Sequence, residues 1–436
     1  MSFPPDADGS GQGPADKPPQ ETPLALCSRL FVRQPVFDEH LHTWGYAVTF
    51  GPELRQESGA REDCAPDDLP DPVPGIAAGL ISLADTLFGP GRKVLVNFGE
   101  RSILDETPYA LPSERMVIEI PGCDGLPASA APALNGFRAD GFAVALDLGE
   151  AARADNAIRA SADVLLLGLD DAERARGQAR ALPKGGALLL ARGVDDIARL
   201  ALARRLGADL IQGDFLFCPE TVQARRATSH ETSRFRLLAA IEHPEPDFDE
   251  LARTLGADAS LSFRLLAYLN SPAFGFPERI GSLRQAMLML GWKMLKNWLR
   301  VAVLTDLAPG PTARHLLLLS AQRGKFLELL AGARPEGRDN PDEAFLLGLF
   351  SLLEPLLRMP MTEVAGHLPL PAPLLDALTG REDNRQARWL RLLKAYEAAD
   401  WEAVETLAQG LGVAPLTVAI AHYKAVAWAE AVFSGA

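Results

Sequence analysis

The stretch GFAVALDLGE, from Gly141 to Glu150, carries an apolar run onto one carboxylate, Asp147, which is followed by Leu148. At the end of a strand in a parallel sheet, an acid occupies the place where catalytic groups collect. Asp147 is therefore either part of a chemical site or a strand ending. Other reactive groups show little pattern. The seven histidines, His40, His42, His230, His243, His315, His367 and His422, include no i,i+4 pair. His40 and His42 fall between two predicted strands, and no partner motif joins them. The four cysteines, Cys27, Cys64, Cys123 and Cys218, contain no C-x-x-C pair, which gives a zinc site no support. No G-x-S-x-G or P-loop pattern occurs, so nucleophilic catalysis and nucleotide hydrolysis lack a signature. One basic stripe stands out in WKMLKNWLRVAVL. Lys293, Lys296 and Arg300, with Asn297, fall opposite Met294, Leu295, Trp298 and Val301 on a helix. That stripe reads either as a solvated face or as a docking patch for an acidic partner.

Composition narrows the classes. The chain has 436 residues, enough for two domains, and 47% of them are hydrophobic, enough for real cores. Fifty-seven acidic against 43 basic residues leave a net charge of −14, which argues against a duplex-coating nucleic-acid binder. The start, MSFPPDADGSGQGPADKPPQETP, lacks a basic n-region and an apolar h-region. Residues 1–28 therefore read as a disordered lead-in, not a signal peptide. No apolar run is long enough to span a bilayer; VAIAHYKAVAWAEAVF is broken by His422, Lys424 and Glu430. Isolated cysteines suit a reducing compartment. The expectation is a cytoplasmic protein with no membrane or nucleic-acid partner.

Two textures organise the elements that must position these groups. Up to about Phe217, short apolar runs alternate with helical stretches. The runs are LFVRQPVF, WGYAVTF, KVLVNF, MVIEI, FAVALDL, VLLLGL, ALLLA and LIQG. Their Val and Ile content and their bracketing by Gly, Pro and Asp favour strands. Strand–helix alternation implies a parallel sheet flanked by helices, either a (β/α)8-like barrel or a doubly wound open sheet. The polar, Pro-rich segment from Gly51 to Ala78 leaves closure of a barrel undecided. From about Ser233 the strand signal vanishes. SLRQAMLMLG opens with a capping box, Ser282 to Gln285, and ends on Gly291, a residue suited to the C′ position. The second half is all-helical. Its last helix, Val418 to Phe433, is apolar enough to face either a core or another copy in a homo-oligomer.

With the elements in order, the segment RQPVFDEHLHTWGYAVTF (Arg33 to Phe50) resembles the opening of EAL domains fused to HDOD domains. LPSERMVIEI, GFAVALDL, ADVLLLGL and GADLIQGDFLFCPE follow in the family order. LSFRLLAYLNSPAFGFPERIGSLRQAMLMLGW (Leu261 to Trp292) resembles the HDOD core, in which Pro272, Phe274, Phe276 and Pro277 would pin a tight helix connection. The resemblance implies a TIM-like EAL barrel over 29–225, then an all-helical HDOD domain over 226–436. It also implies a bacterial signalling protein.

Active EAL domains are cyclic di-GMP phosphodiesterases, which use a divalent-metal pair on carboxylates to generate hydroxide and neutralise charge on phosphate. Under the resemblance, the name-giving Glu falls on Ala47. The Asn and Glu ligands are matched by Asn97 and Glu119. The Asp-Asp pair becomes Asp147-Leu148. The catalytic Lys falls on Leu166, the Asp two residues later on Gly168, and a later Glu on Arg192. Gln212 is kept. The HD phosphohydrolase ligands, expected after Gly348-Leu349-Phe350, are replaced by Ser351 and Leu352.

A methyl group, a leucine and a permanent cation cannot hold a metal pair. The expectation is therefore no catalytic residue, no metal and no cofactor, with Arg192 pairing Glu119 or Asp147 in the metals' place. Function would be a non-catalytic scaffold that displays surfaces, Lys293, Lys296 and Arg300 among them, to other signalling proteins. The rival reading is a cyclic di-GMP receptor or residual phosphodiesterase acting through Asn97, Glu119, Asp147 and Gln212. Those same residues could instead be satisfied polar groups at strand ends.

Overall fold

A computed structural model describes residues 29–53, 87–120, 130–147, 162–180, 186–217, 228–243, 285, 291–307, 311–334, 339–368, 370–381 and 383–434. Ser282 of the expected capping box, the Pro272–Pro277 connection, Leu148, and the greater part of the Gly51–Ala78 segment lie outside these residues.

Each of the eight apolar runs forms a strand: β1 (Arg29–Asp38), β2 (Thr43–Glu53), β3 (Lys93–Asn97), β4 (Met116–Ile120), β5 (Ala143–Asp147), β6 (Val164–Gly168), β7 (Leu188–Arg192) and β8 (Leu210–Gln212). They close into a barrel in sequence order. The all-parallel expectation fails at β1, which runs antiparallel to both β2 and β8. The cause is the turn. Only four residues separate β1 from β2, far too few for the crossover that parallel neighbours need. Asp38 holds that turn by accepting from the backbone amides of His40 (2.9 Å) and His42 (2.8 Å). This accounts for the two exposed histidines as turn residues.

The strands read as continuous apolar runs because both faces are covered. One face fills the barrel with Val36, Ala47, Leu95, Val117, Ala145, Val164, Leu166, Leu190 and Leu210. The other packs on helices α1 (Glu100–Leu104), α2 (Ala130–Ala139), α3 (Ala172–Arg180) and α4 (Ile197–Arg205).

The helical half comprises α5 (Ser229–Glu242), α6 (Trp292–Leu307), α7 (Pro311–Gly332), α8 (Pro341–Phe350), α9 (Leu353–Leu357), α10 (Met361–Ala365), α11 (Ala372–Thr379), α12 (Arg385–Glu397), α13 (Trp401–Leu411) and α14 (Pro415–Ser434). A capping box opens α5: Thr228 Oγ1 accepts from the Glu231 amide, and Glu231 accepts from the Thr228 amide. Helices α7 and α8 touch backbone to backbone. A Cβ at Gly348 would fall 2.4 Å from the Arg323 carbonyl oxygen. The closing helix α14 faces the core, burying Val418, Ala425, Val426, Ala429 and Val432. Among the described residues no single helix is long and apolar enough to cross a membrane.

The barrel and the helical half share a polar seam. Arg33 of β1, buried, donates to the Leu87 carbonyl, to Glu430 of α14 (2.7 Å) and to Gln322 of α7 (3.3 Å). The Tyr396 hydroxyl donates to the Phe31 carbonyl at 2.9 Å. His422 packs edge-on against Phe31, and His315 against Phe37.

Candidate functional site at the barrel mouth

The side-chain period of two decides what reaches the mouth. Leu95, Val117, Ala145, Leu166, Leu190 and Leu210 point into the barrel. Two residues further along each strand stand Asn97, Glu119, Asp147, Gly168, Arg192 and Gln212, so these share one layer above the apolar plug. On the reversed strand β1, Gln34 joins that layer from two residues before Val36. Register sets Asn97 beside Glu119 and Gly168 beside Arg192. Asn97 is exposed, Asp147 half-buried, Glu119 and Gln212 buried.

Arg192 organises this layer. Its two terminal nitrogens donate to both oxygens of Glu119, at 2.8 and 2.7 Å. Its Nε donates to Gln212 Oε1 at 2.9 Å. Gln212 Nε2 then donates to Gln34 Oε1 at 2.6 Å, and Gln34 Nε2 to Asp214 at 3.3 Å. The result is a hydrogen-bonded chain running from β4 through β7 and β8 to β1. The fork-to-fork geometry occupies the carboxylate edge that would face a divalent ion, and it sets a fixed positive charge there. Leu166 and Ala47 sit in the apolar plug, 1% and 7% exposed, with no ionisable group to offer. Among the described residues no group of three His, Cys, Asp or Glu is placed to hold a metal ion. Gly213 explains why the end of β8 can close on β7: its φ is +155°, and a Cβ there would meet the Val194 carbonyl oxygen at 2.2 Å. Gln34 escaped the sequence reading, although its spacing from Val36 marks it as inward-facing.

Comparison with known proteins finds relatives for both parts of the chain. Residues 229–358 match the HDOD domain. The chain is 26% identical over 395 residues to the cyclic di-GMP phosphodiesterase CdgJ of Vibrio cholerae, covering 87% of each. It is also 26% identical over 398 residues to the uncharacterized protein YuxH of Bacillus subtilis, covering 88% of this chain and 94% of that one. Together these matches support an EAL–HDOD protein whose HDOD domain lies at residues 229–358. Solved structures similar to its barrel include an EAL domain protein from Listeria monocytogenes EGD-e, at 18% identity and TM-score 0.32, covering 44% of this chain and 90% of that one. A standalone EAL protein from Vibrio cholerae O395 matches at 18% identity and TM-score 0.33, with 42% and 89% coverage.

In the HDOD half, Ser351 and Leu352 stand at the end of α8. Leu352 is buried, and Ser351 Oγ donates to the Gly348 carbonyl (2.7 Å) while accepting from Arg323 (3.0 Å). Arg323 also forks onto Glu397 at 2.7 and 2.5 Å and lies over the Phe217 ring of the EAL barrel. The position is thus tied into the seam between domains.

The basic stripe on α6 requires a correction. Arg300 is 0% exposed and Lys296 is only 12% exposed, so neither forms a docking patch. Arg300 forks onto Glu242 at 2.5 and 2.6 Å and reaches Asp342 at 3.2 Å; Lys296 bridges the same two acids. Burial alone would raise the Asp342 carboxyl, but Arg300 and Lys296 override it and hold it below the ordinary range. Helical periodicity counts these residues as polar and sends them to solvent. Acids on α5 and α8 instead make the interior hospitable. Only Lys293, 62% exposed, keeps a solvent-facing charge.

Proposed function

We propose that this EAL–HDOD protein acts in cyclic di-GMP signalling as a non-catalytic scaffold, with the HDOD half presenting surfaces to protein partners. The observation that carries the reading is the Arg192 fork on Glu119. Phosphodiester hydrolysis needs clustered anionic oxygen to hold metal and a group to take up a proton. Here the best-placed carboxylate is neutralised by a guanidinium, and the inward positions below it are apolar. The relation to CdgJ supports the signalling context.

Incubation of the full chain with cyclic di-GMP and Mn²⁺ tests the reading. No linear dinucleotide should form. Turnover that disappears in Glu119→Gln would refute it. A second reading, a cyclic di-GMP receptor, draws on the exposed amide of Asn97 beside Glu119, and on the Gln212–Gln34 pair in the same layer of the mouth. Calorimetric titration separates the two: micromolar binding lost on Glu119→Ala supports a receptor, and silence supports the scaffold.

A further inference from the structure

A cavity of about 380 Å³ opens in the HDOD half between α6, α7, α8 and α14, walled by apolar groups that include Leu329, Ile420 and Pro341. Its size and lining fall in the range of small-molecule sites, in which an apolar wall carries a few convergent polar groups. Those groups here are Lys293, Lys424, Glu328 and Thr417. Glu328 is buried and fully engaged: one oxygen accepts from Lys293 (3.0 Å), the other from Lys325 (2.9 Å) and Asn297 (3.4 Å). It has no edge left for a cationic ligand. Lys424 is the opposite case. It is exposed and makes no ion pair among the described residues. Local charge is therefore positive on a chain whose net charge is −14.

We propose that this cavity binds a small amphipathic anion, with a short apolar body against Leu329 and Ile420 and one carboxylate or phosphate on Lys424 with Lys293 at the rim. The site is independent of the barrel mouth and does not rest on whether that mouth binds a nucleotide. The lost docking stripe gives way here to a pocket: of its three charges, only Lys293 is exposed, and it stands at the rim while paired with Glu328.

The test titrates the full chain with octanoate by calorimetry, with octylammonium as the tail-matched control. Octanoate should bind saturably at one site, and octylammonium should not. Lys424→Gln should weaken octanoate about threefold to fivefold, the scale of one exposed ion pair. Ala333→Leu, at an exposed lining position, fills the space and should weaken it by about tenfold or more without lowering the thermal midpoint. Absence of saturation at millimolar octanoate would overturn the proposal, including the case in which an acidic peptide of a partner is the real occupant. Equal binding by both variants, or by octylammonium, would overturn it too.

Discussion

Acidification should loosen the seam between the barrel and the helical half, and two histidines set by how much. His315 and His422 are both buried, and burial lowers each from 6.5 to about 3, with the charge of Arg33 adding to the effect. The Nδ1 atom of each has no hydrogen-bond partner among the described residues. At His422 the geometry adds a reason. Arg33 donates to Gln322 Oε1, which leaves the Gln322 NH₂ to donate to His422 Nε2 at 3.2 Å. A proton on Nε2 would face that NH₂ head-on.

In the unfolded chain each ring takes up a proton near 6.5; in the folded protein it does not. The neutral rings thus contribute stability that is complete above pH 6.5 and drains away as pH falls toward 3. Between pH 7 and pH 5 each histidine should cost about 2 kcal/mol, at 1.36 kcal/mol per unit over about 1.4 effective units, or about 4 kcal/mol for the pair. Urea unfolding of the wild type and of His315→Gln/His422→Gln at both pH values measures this. Carboxylates titrate alike in both proteins, so the difference isolates the imidazoles. The double variant should start less stable at pH 7 but lose about 4 kcal/mol less on acidification. Equal losses would refute the reasoning.

Three further outcomes follow from the same geometry. Arg300→Met should destabilise by about 3–5 kcal/mol in urea unfolding, because the buried Glu242 loses its forked partner and must share Lys296 alone with Asp342. Arg192→Ala should cost about 1–3 kcal/mol by stranding the buried Glu119, and Arg192→Met/Glu119→Leu should recover most of that loss. Gly348→Ala should lower the thermal midpoint by the equivalent of about 3 kcal/mol, since the added methyl lands on the α7 backbone. An unchanged midpoint would mean that the two helices separate at no cost.

Sequence alone determined the local units. Eight strands were legible because a strand buried on both faces must be written as a short, nearly continuous apolar run, and all eight runs became barrel strands. The layer containing Asn97, Glu119, Asp147, Arg192 and Gln212 was accessible in the same way, because period two fixes which face a residue takes once its neighbour is inside. Tertiary structure decided what depends on partners distant in the chain. The short turn after Asp38 already reverses β1, but its closure against β8, which sets Val36 opposite Gln212, is encoded by no local pattern. The fate of Arg300 turned on Glu242 and Asp342, 58 and 42 residues away. The burial of His315 and His422 turned on packing against β1, nearly 300 residues or more back in the chain. Periodicity reports the polarity of a side chain, whereas the cost of burying it depends on the charge and hydrogen bonds that folding brings to meet it.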